Sequence, residues 1–206
     1  MLRIWGRLNS INVAKVVWCA AELDLPFQRI DAGGKFGGLD DASYRAKNPN
    51  RKIPTLEDGS VIVWESHAIL RYLGARYGQD VIWPSQPADR AMVDAWLDWH
   101  HTEGYVHMRD VFWQLIRTPA AERDMDLVEQ QRAALDPKMG LLDERLAGSR
   151  FLAGPTFTIA DIAVGLLADR WFRLDIERSD TPHLRRWYDD LAARPAFQEY
   201  CAQPLT

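Results

Sequence analysis

Three short stretches of the chain group residue types that could hold a charged, peptide-like molecule. The first, Asn9-Ser10-Ile11-Asn12, falls where strand-like sequence gives way to helical spacing. At a helix N-terminus the backbone N–H groups are free and a partial positive charge collects, so a hydroxyl or amide there helps to stabilise an anion such as a thiolate. The same residue types also serve as ordinary N-caps. In the second, Lys52-Ile53-Pro54-Thr55, a proline precedes a predicted strand. Proline is tolerated at a strand entry. A cis Ile53–Pro54 bond would in addition leave the Ile53 N–H and C=O open to pair with a peptide ligand as an added strand. The third, Glu65-Ser66, opens a predicted helix. Serine caps helices, but a carboxylate beside a hydroxyl and free N–H groups also suits an α-amino-acid head, with Glu65 on the ammonium and Ser66 on the carboxylate.

The elements that must position these residues follow from periodicity. Leu2 to Gly6 reads as a strand, and Val13, Val16, Val17, Ala20 and Leu23 recur at helical spacing. Pro26 stops that helix and Phe27 to Ile30 reads as a second strand. A β-α-β unit of about thirty residues implies a parallel pair with a crossover helix. Ala32 to Asp41, with four glycines, is a loop. Thr55 to Glu57 and Val61 to Val63 then flank Asp58-Gly59, a pair typical of a tight hairpin turn. Ile69, Tyr72, Leu73 and Tyr77 mark a helix from about Glu65 that Gly78 can end. The order is β-α-β, loop, β-β-α over residues 1–80, followed by a Pro-containing linker at 81–87. Residues 88–206 carry no convincing strand. Helical stripes run through Met92, Trp96 and Trp99, through Leu135 to Leu146, through Ile159 to Leu167 and through Leu184 to Ala193, and a last short helix starts near Pro195. Phe157-Thr158-Ile159-Ala160-Asp161-Ile162 fits a capping box with a hydrophobic staple. Most of Trp96, Trp99, Tyr105, Phe112, Trp113, Trp171 and Phe172 are expected in the core, with a minority free to line an apolar pocket.

Composition narrows the function class. The 206 residues carry 25 Lys plus Arg against 29 Asp plus Glu, a net charge of −4, without the basic patch a nucleic-acid binder needs. Cys19 and Cys201 are far apart with no CxxC spacing, which argues against a disulfide framework, a zinc site or a dithiol redox motif. No secretory signal is read at the N-terminus and no apolar run could span a bilayer, so a cytoplasmic protein without membrane or metal is expected.

Together these motifs resemble the glutathione transferase superfamily along the whole chain. Lys52-Ile53-Pro54, Asp58-Gly59 and Trp64-Glu65-Ser66-His67-Ala68-Ile69 with Tyr72-Leu73 look like that family's glutathione site, and Phe157 to Asp161 like the capping box of its second domain. The resemblance implies a thioredoxin-like α+β domain that binds glutathione, then an all-α helical bundle that shapes the second-substrate site. It also implies a cis Pro54, glutathione as co-substrate, a small hydrophobic electrophile as its partner and a homodimer. Ser10, with Lys15-Val16 behind it, matches the catalytic serine of the plant phi class. Asn12 matches a residue of the bacterial nu class, so both are candidate thiolate contacts. Lys52, Ile53, Pro54, Glu65 and Ser66 are the candidate glutathione-binding residues. The phi-class histidine-lysine pair has no counterpart here, and Lys35, Arg51 or Lys52 could take its place on the glycyl carboxylate. No tyrosine or cysteine stands at the thiol position. The expected chemistry is attack of the glutathione thiolate on an electrophilic carbon, with reduction of a peroxide or disulfide, or binding without turnover, as alternatives.

Overall fold

The computed structural model describes all of residues 1–206, and the chain divides into two compact units, each with its own core. The first comprises Met1–Trp83 with Pro195–Gln203, and the second Pro84–Arg194 with Pro204–Thr206.

The first unit is built on a four-stranded sheet. Strand β1 (Leu2–Trp5) buries Leu2 and Ile4 and exposes Arg3, the period of two of a pleated strand. It lies between β2 (Phe27–Ile30), in parallel, and β3 (Thr55–Asp58), antiparallel, and β4 (Val61–Trp64) completes the order β2-β1-β3-β4. The parallel β1–β2 pair needs a crossover, supplied by α1 (Ile11–Glu22), whose residues 13–20 are all buried. That helix ends before Pro26. Asp24 turns left-handed at φ 51°, so that its N–H reaches Ala21 and that of Leu25 reaches Ala20. The hairpin turn sits one residue later than the Asp-Gly pair suggests. Asp58 closes β3, and Gly59, at φ 61°, and Ser60 form the two-residue loop. A short helix, α2 (Ala42–Arg45), follows the glycine-rich loop, and α3 (Ser66–Tyr77) packs on α1. Gly78 does end α3, but with negative φ; its glycine is required by space, since a Cβ would lie 2.7 Å from Ile82 Cγ1.

The second unit is helical. Helix α4 (Pro87–Trp99) passes through one wide, π-type turn at His100–Gly104 into α5 (Tyr105–Phe112), with a second such turn at Trp113–Arg117. Helix α6 (Met125–Ala147) runs through Pro137, while α7 (Ile159–Arg173) is buried from Ile159 to Trp171 and forms the centre of the unit, and α8 (Pro182–Ala192) packs on α6 and α7. Gly104 lets the α4–α5 turn approach α7, since a Cβ there would stand 2.5 Å from Leu167 Cδ2. The capping box forms as the residue pattern implies, from Thr158 to Asp161. Of the seven aromatics expected mainly in the core, Phe112 and Trp171 are buried, Trp96, Trp99, Tyr105 and Phe172 are half-buried, and Trp113 is 57 % exposed. Helical spacing fixes a residue's angular position but not whether anything covers it.

The sequence reading carries the helical tract to residue 206, whereas the last helix, α9 (Pro195–Tyr200), groups with the first unit. There Phe197 meets the edge of Trp18 on α1 at 5.1 Å between ring centroids, and Tyr200 lies against Phe27 of β2. Two aromatic contacts to α1 and β2 outweigh adjacency in sequence.

Candidate active site in the first unit

The β1–α1 turn, the loop before β3 and the start of α3 converge. Gly6, at φ 145°, has no room for a side chain: a Cβ would stand 2.4 Å from Val13 Cγ2 and 3.1 Å from Ile53 Cβ. The absence of that Cβ lets the loop carrying Ile53 close onto the turn carrying Ser10.

Ser10 occupies the N-cap position of α1 with extended backbone (φ −92°, ψ 122°), and its carbonyl accepts from the N–H groups of Val13 and Ala14. Its side chain makes no capping hydrogen bond, so the hydroxyl is not spent on the helix. Asn12, one turn-position further, is held by its Oδ1, which accepts from Lys15 Nζ at 3.1 Å and from Ser66 Oγ at 3.4 Å. With the oxygen turned inward, the two-proton Nδ2 end is left as a donor. The bond from Ser66 joins the start of α3 to the start of α1.

The loop before β3 is clamped from behind. The Lys52 carbonyl accepts from the Tyr44 hydroxyl at 2.6 Å and from Asn48 Nδ2 at 2.9 Å, and both of those side chains also reach Thr55 Oγ1. The Ile53–Pro54 bond is cis. Pro54 is buried and Ile53 half-buried. The backbone N–H and C=O of Ile53 take no part in the hydrogen bonds of the sheet or its loops, which leaves them able to pair with an extended ligand.

Glu65 precedes α3 at φ 71°, ψ 122°, and Ser66, 7 % exposed, begins the helix. A non-glycine residue at positive φ costs about 1–3 kcal/mol and persists only where the surroundings impose it. The Glu65 carbonyl accepts from Ile69 N–H, while its exposed carboxylate is not used to cap the helix. The hairpin is fixed to α3 by Asp58, whose carboxylate accepts from the hydroxyls of Tyr72 at 2.7 Å and Tyr77 at 2.6 Å.

The structure therefore brings together Ser10, Asn12, Ile53, Pro54, Glu65 and Ser66. The basic candidates stand differently. Lys35 lies exposed on a short turn, Gly34–Phe36, with its ammonium 5.1 Å from the Phe36 ring centroid, and Arg51 pairs with Asp40 at 3.0 Å. Lys52 contributes its carbonyl to the clamp and leaves its side chain exposed. Sequence reasoning passed over Tyr44, on α2, and Asn48, just after it, whose part emerges only when Lys52 and Thr55 are seen beside them. It treated Lys15 only as a spacing marker and His67 only as part of a motif. The available signal was a lysine inside the apolar row of α1.

The chain matches the glutathione S-transferase N-terminal domain family over residues 1–75 and the C-terminal domain family over residues 104–195. It is 39 % identical to Escherichia coli glutathione S-transferase GstB over the full length of both chains. The crystal structure of a theta-class glutathione S-transferase from Xanthomonas axonopodis pv. citri with glutathione bound superposes with a TM-score of 0.96 at 42 % identity, covering 100 % of this chain and 99 % of that one. Glutathione S-transferase 3 of Zea mays is 29 % identical over 98 % of this chain and 93 % of its own length. With both domains matched in order and a curated bacterial transferase aligned end to end, the chain belongs to the glutathione S-transferase family and is a glutathione transferase.

Proposed function

We propose that this protein joins the thiolate of glutathione to small apolar electrophiles, as a cytoplasmic homodimer. The observation that carries the reading is the convergence of an uncommitted Ser10 hydroxyl and the Asn12 amide at the start of α1 with Glu65 and Ser66 at the start of α3. The glutathione backbone would pair with Ile53 as an added strand. Its γ-glutamyl ammonium would meet Glu65 and the adjoining carboxylate Ser66 and the α3 N-terminus, which leaves the sulfur to Ser10 and Asn12. The glycyl carboxylate is assigned to Lys35 or Lys52, both of which keep exposed ammonium groups, since Arg51 is engaged by Asp40. A free thiol of pKa about 8.5 is only ~3 % ionised at pH 7, and lowering that pKa by about two units makes it mostly thiolate. One hydroxyl, one amide and a helix N-terminus are enough for a shift of that size, worth about 2.7 kcal/mol.

Glu65→Ala and Ser66→Ala should each weaken glutathione binding with the fold intact. A lost hydrogen bond to a charged group costs roughly 1.5–3 kcal/mol, or about ten-fold to more than one hundred-fold in affinity. Calorimetry giving wild-type affinity for both variants would place the γ-glutamyl end elsewhere and overturn the assignment. For the assembly, light scattering at micromolar concentration should give about twice the 23.6 kDa of one chain. The motive is apolar surface: Val61, Ile62 and Trp64 all stand exposed on β4, an edge strand. A monomer mass would contradict the dimer.

A further inference from the structure

Lys15 is only 1 % exposed, in the middle of a row of apolar side chains on α1. A buried ammonium is costly unless donors and acceptors match, so its neighbours reveal what it is there to hold. Two of them belong to the two halves of the candidate site. Lys15 Nζ lies 3.1 Å from Asn12 Oδ1 and 3.2 Å from His67 Nε2, on the residue next to Ser66. Ser66 Oγ reaches the same Asn12 oxygen.

An ammonium has three protons and no lone pair, so it can only donate. Its contact with Asn12 therefore fixes which end of that amide faces inward: the oxygen meets Lys15 and the Nδ2 protons face away. Its 3.2 Å contact with His67 Nε2 joins a donor to an acceptor when the ring carries its proton on Nδ1. One side chain thus touches both the amide at the start of α1 and the imidazole beside the start of α3.

We propose that Lys15 is a positioning residue for the thiolate. It locks the Asn12 amide with Nδ2 toward the sulfur and ties that amide to the α3 start that grips the γ-glutamyl end. The inference rests on the reading of Asn12 as a thiolate contact. Without Lys15, the Asn12 amide can turn over and present its oxygen to the sulfur, where two acceptors repel.

The test is a double-mutant cycle between Lys15→Met and Asn12→Ala, read by the thiolate absorbance of bound glutathione, by kcat and by glutathione KM. Methionine keeps the length and apolar stem of lysine without the charge. In the wild-type background Lys15→Met should lower kcat about ten-fold at neutral pH, the loss of one charge-assisted hydrogen bond, while KM changes less than about two-fold because Ile53 and Glu65 are untouched. In the Asn12→Ala background Lys15→Met should have no further effect. Equal losses in both backgrounds, or no loss in either, would overturn the proposal. A silent Asn12→Ala in an active enzyme would overturn it too and leave the transferase reading standing, whereas a wild-type protein that neither ionises nor conjugates glutathione would remove both. Nitrogen-15 NMR of the wild-type His67 ring gives a readout that does not depend on the variants folding. A proton on Nδ1 with Nε2 unprotonated supports the network, and a proton on Nε2 overturns it.

Discussion

Asp161→Ala is expected to lower the thermal midpoint of the helical unit by roughly 6–20 °C, corresponding to about 3–5 kcal/mol at 2–4 °C per kcal/mol for a chain of this size. Asp161 is fully buried at the start of α7 and receives four donors: Leu152 N–H at 3.0 Å, Thr158 N–H at 2.9 Å, Thr158 Oγ1 at 3.1 Å and Trp187 Nε1 at 3.1 Å. Burial pushes its carboxyl up, and the four donors oppose that rise without cancelling it. Truncation leaves all four without an acceptor, and each buried donor left unsatisfied costs about 1–3 kcal/mol before water or rearrangement relieves it. The residue also joins three separate segments: the loop at Leu152, the cap of α7 and the α8 indole. Thr158→Ala is the control. It removes a cap hydroxyl but keeps the backbone N–H bond to Asp161, and should cost only about 1 kcal/mol. Calorimetric melting that places the two variants within about 1 kcal/mol of each other would show that the carboxylate is no more than a helix cap.

Ser10→Ala should raise the pKa of bound glutathione by about 1–2 units, the equivalent of the roughly 1.5–3 kcal/mol lost with a hydrogen bond to an anion. Asn12→Ala should move it in the same direction, and the helix N-terminus that remains keeps either loss partial. The effect on rate has a sign that depends on pH. Near pH 6.5 a thiol shifted from a pKa of about 6.5 to about 8 falls from half ionised to ~3 %, and the greater nucleophilicity of the more basic thiolate restores only part of the loss. Conjugation should therefore drop several-fold there and recover as the pH rises through the new pKa. The check is thiolate absorbance titrated against pH for both variants, with kcat/KM measured over the same range. A deficit that persists above the raised pKa would show that the hydroxyl orients the sulfur instead of acidifying it. If neither variant moves the titration, serine-type activation is not the mechanism.

Much of this protein is decided by interactions a few residues long, and those are legible in the sequence. The β-α-β and β-β-α orders follow from periods of two and 3.6. The Thr158–Asp161 box follows from a spacing of three. The motif groups at Ser10, Ile53 and Glu65 follow from the residue types that suit a helix start or a strand entry. Tertiary structure decided what those groups do together. Ser66 meets Asn12 across 54 residues and Lys15 meets His67 across 52, and no local rule links either pair. The Asp58-Gly59 dipeptide misplaced the turn by one residue because strand register, set by pairing with β1 and β4, fixes where a hairpin closes. Helical spacing starts α9 near Pro195 but does not tell that it packs on α1 and β2, and it does not tell which of the aromatics is exposed, as Trp113 is, because it gives the direction of a side chain about its own axis while burial depends on which other element arrives there. Lys15 combines both lessons. Its position in an apolar row was visible from the start, but a buried charge acquires a role only from the partners that long-range packing of α1 on α3 brings within reach of its three protons.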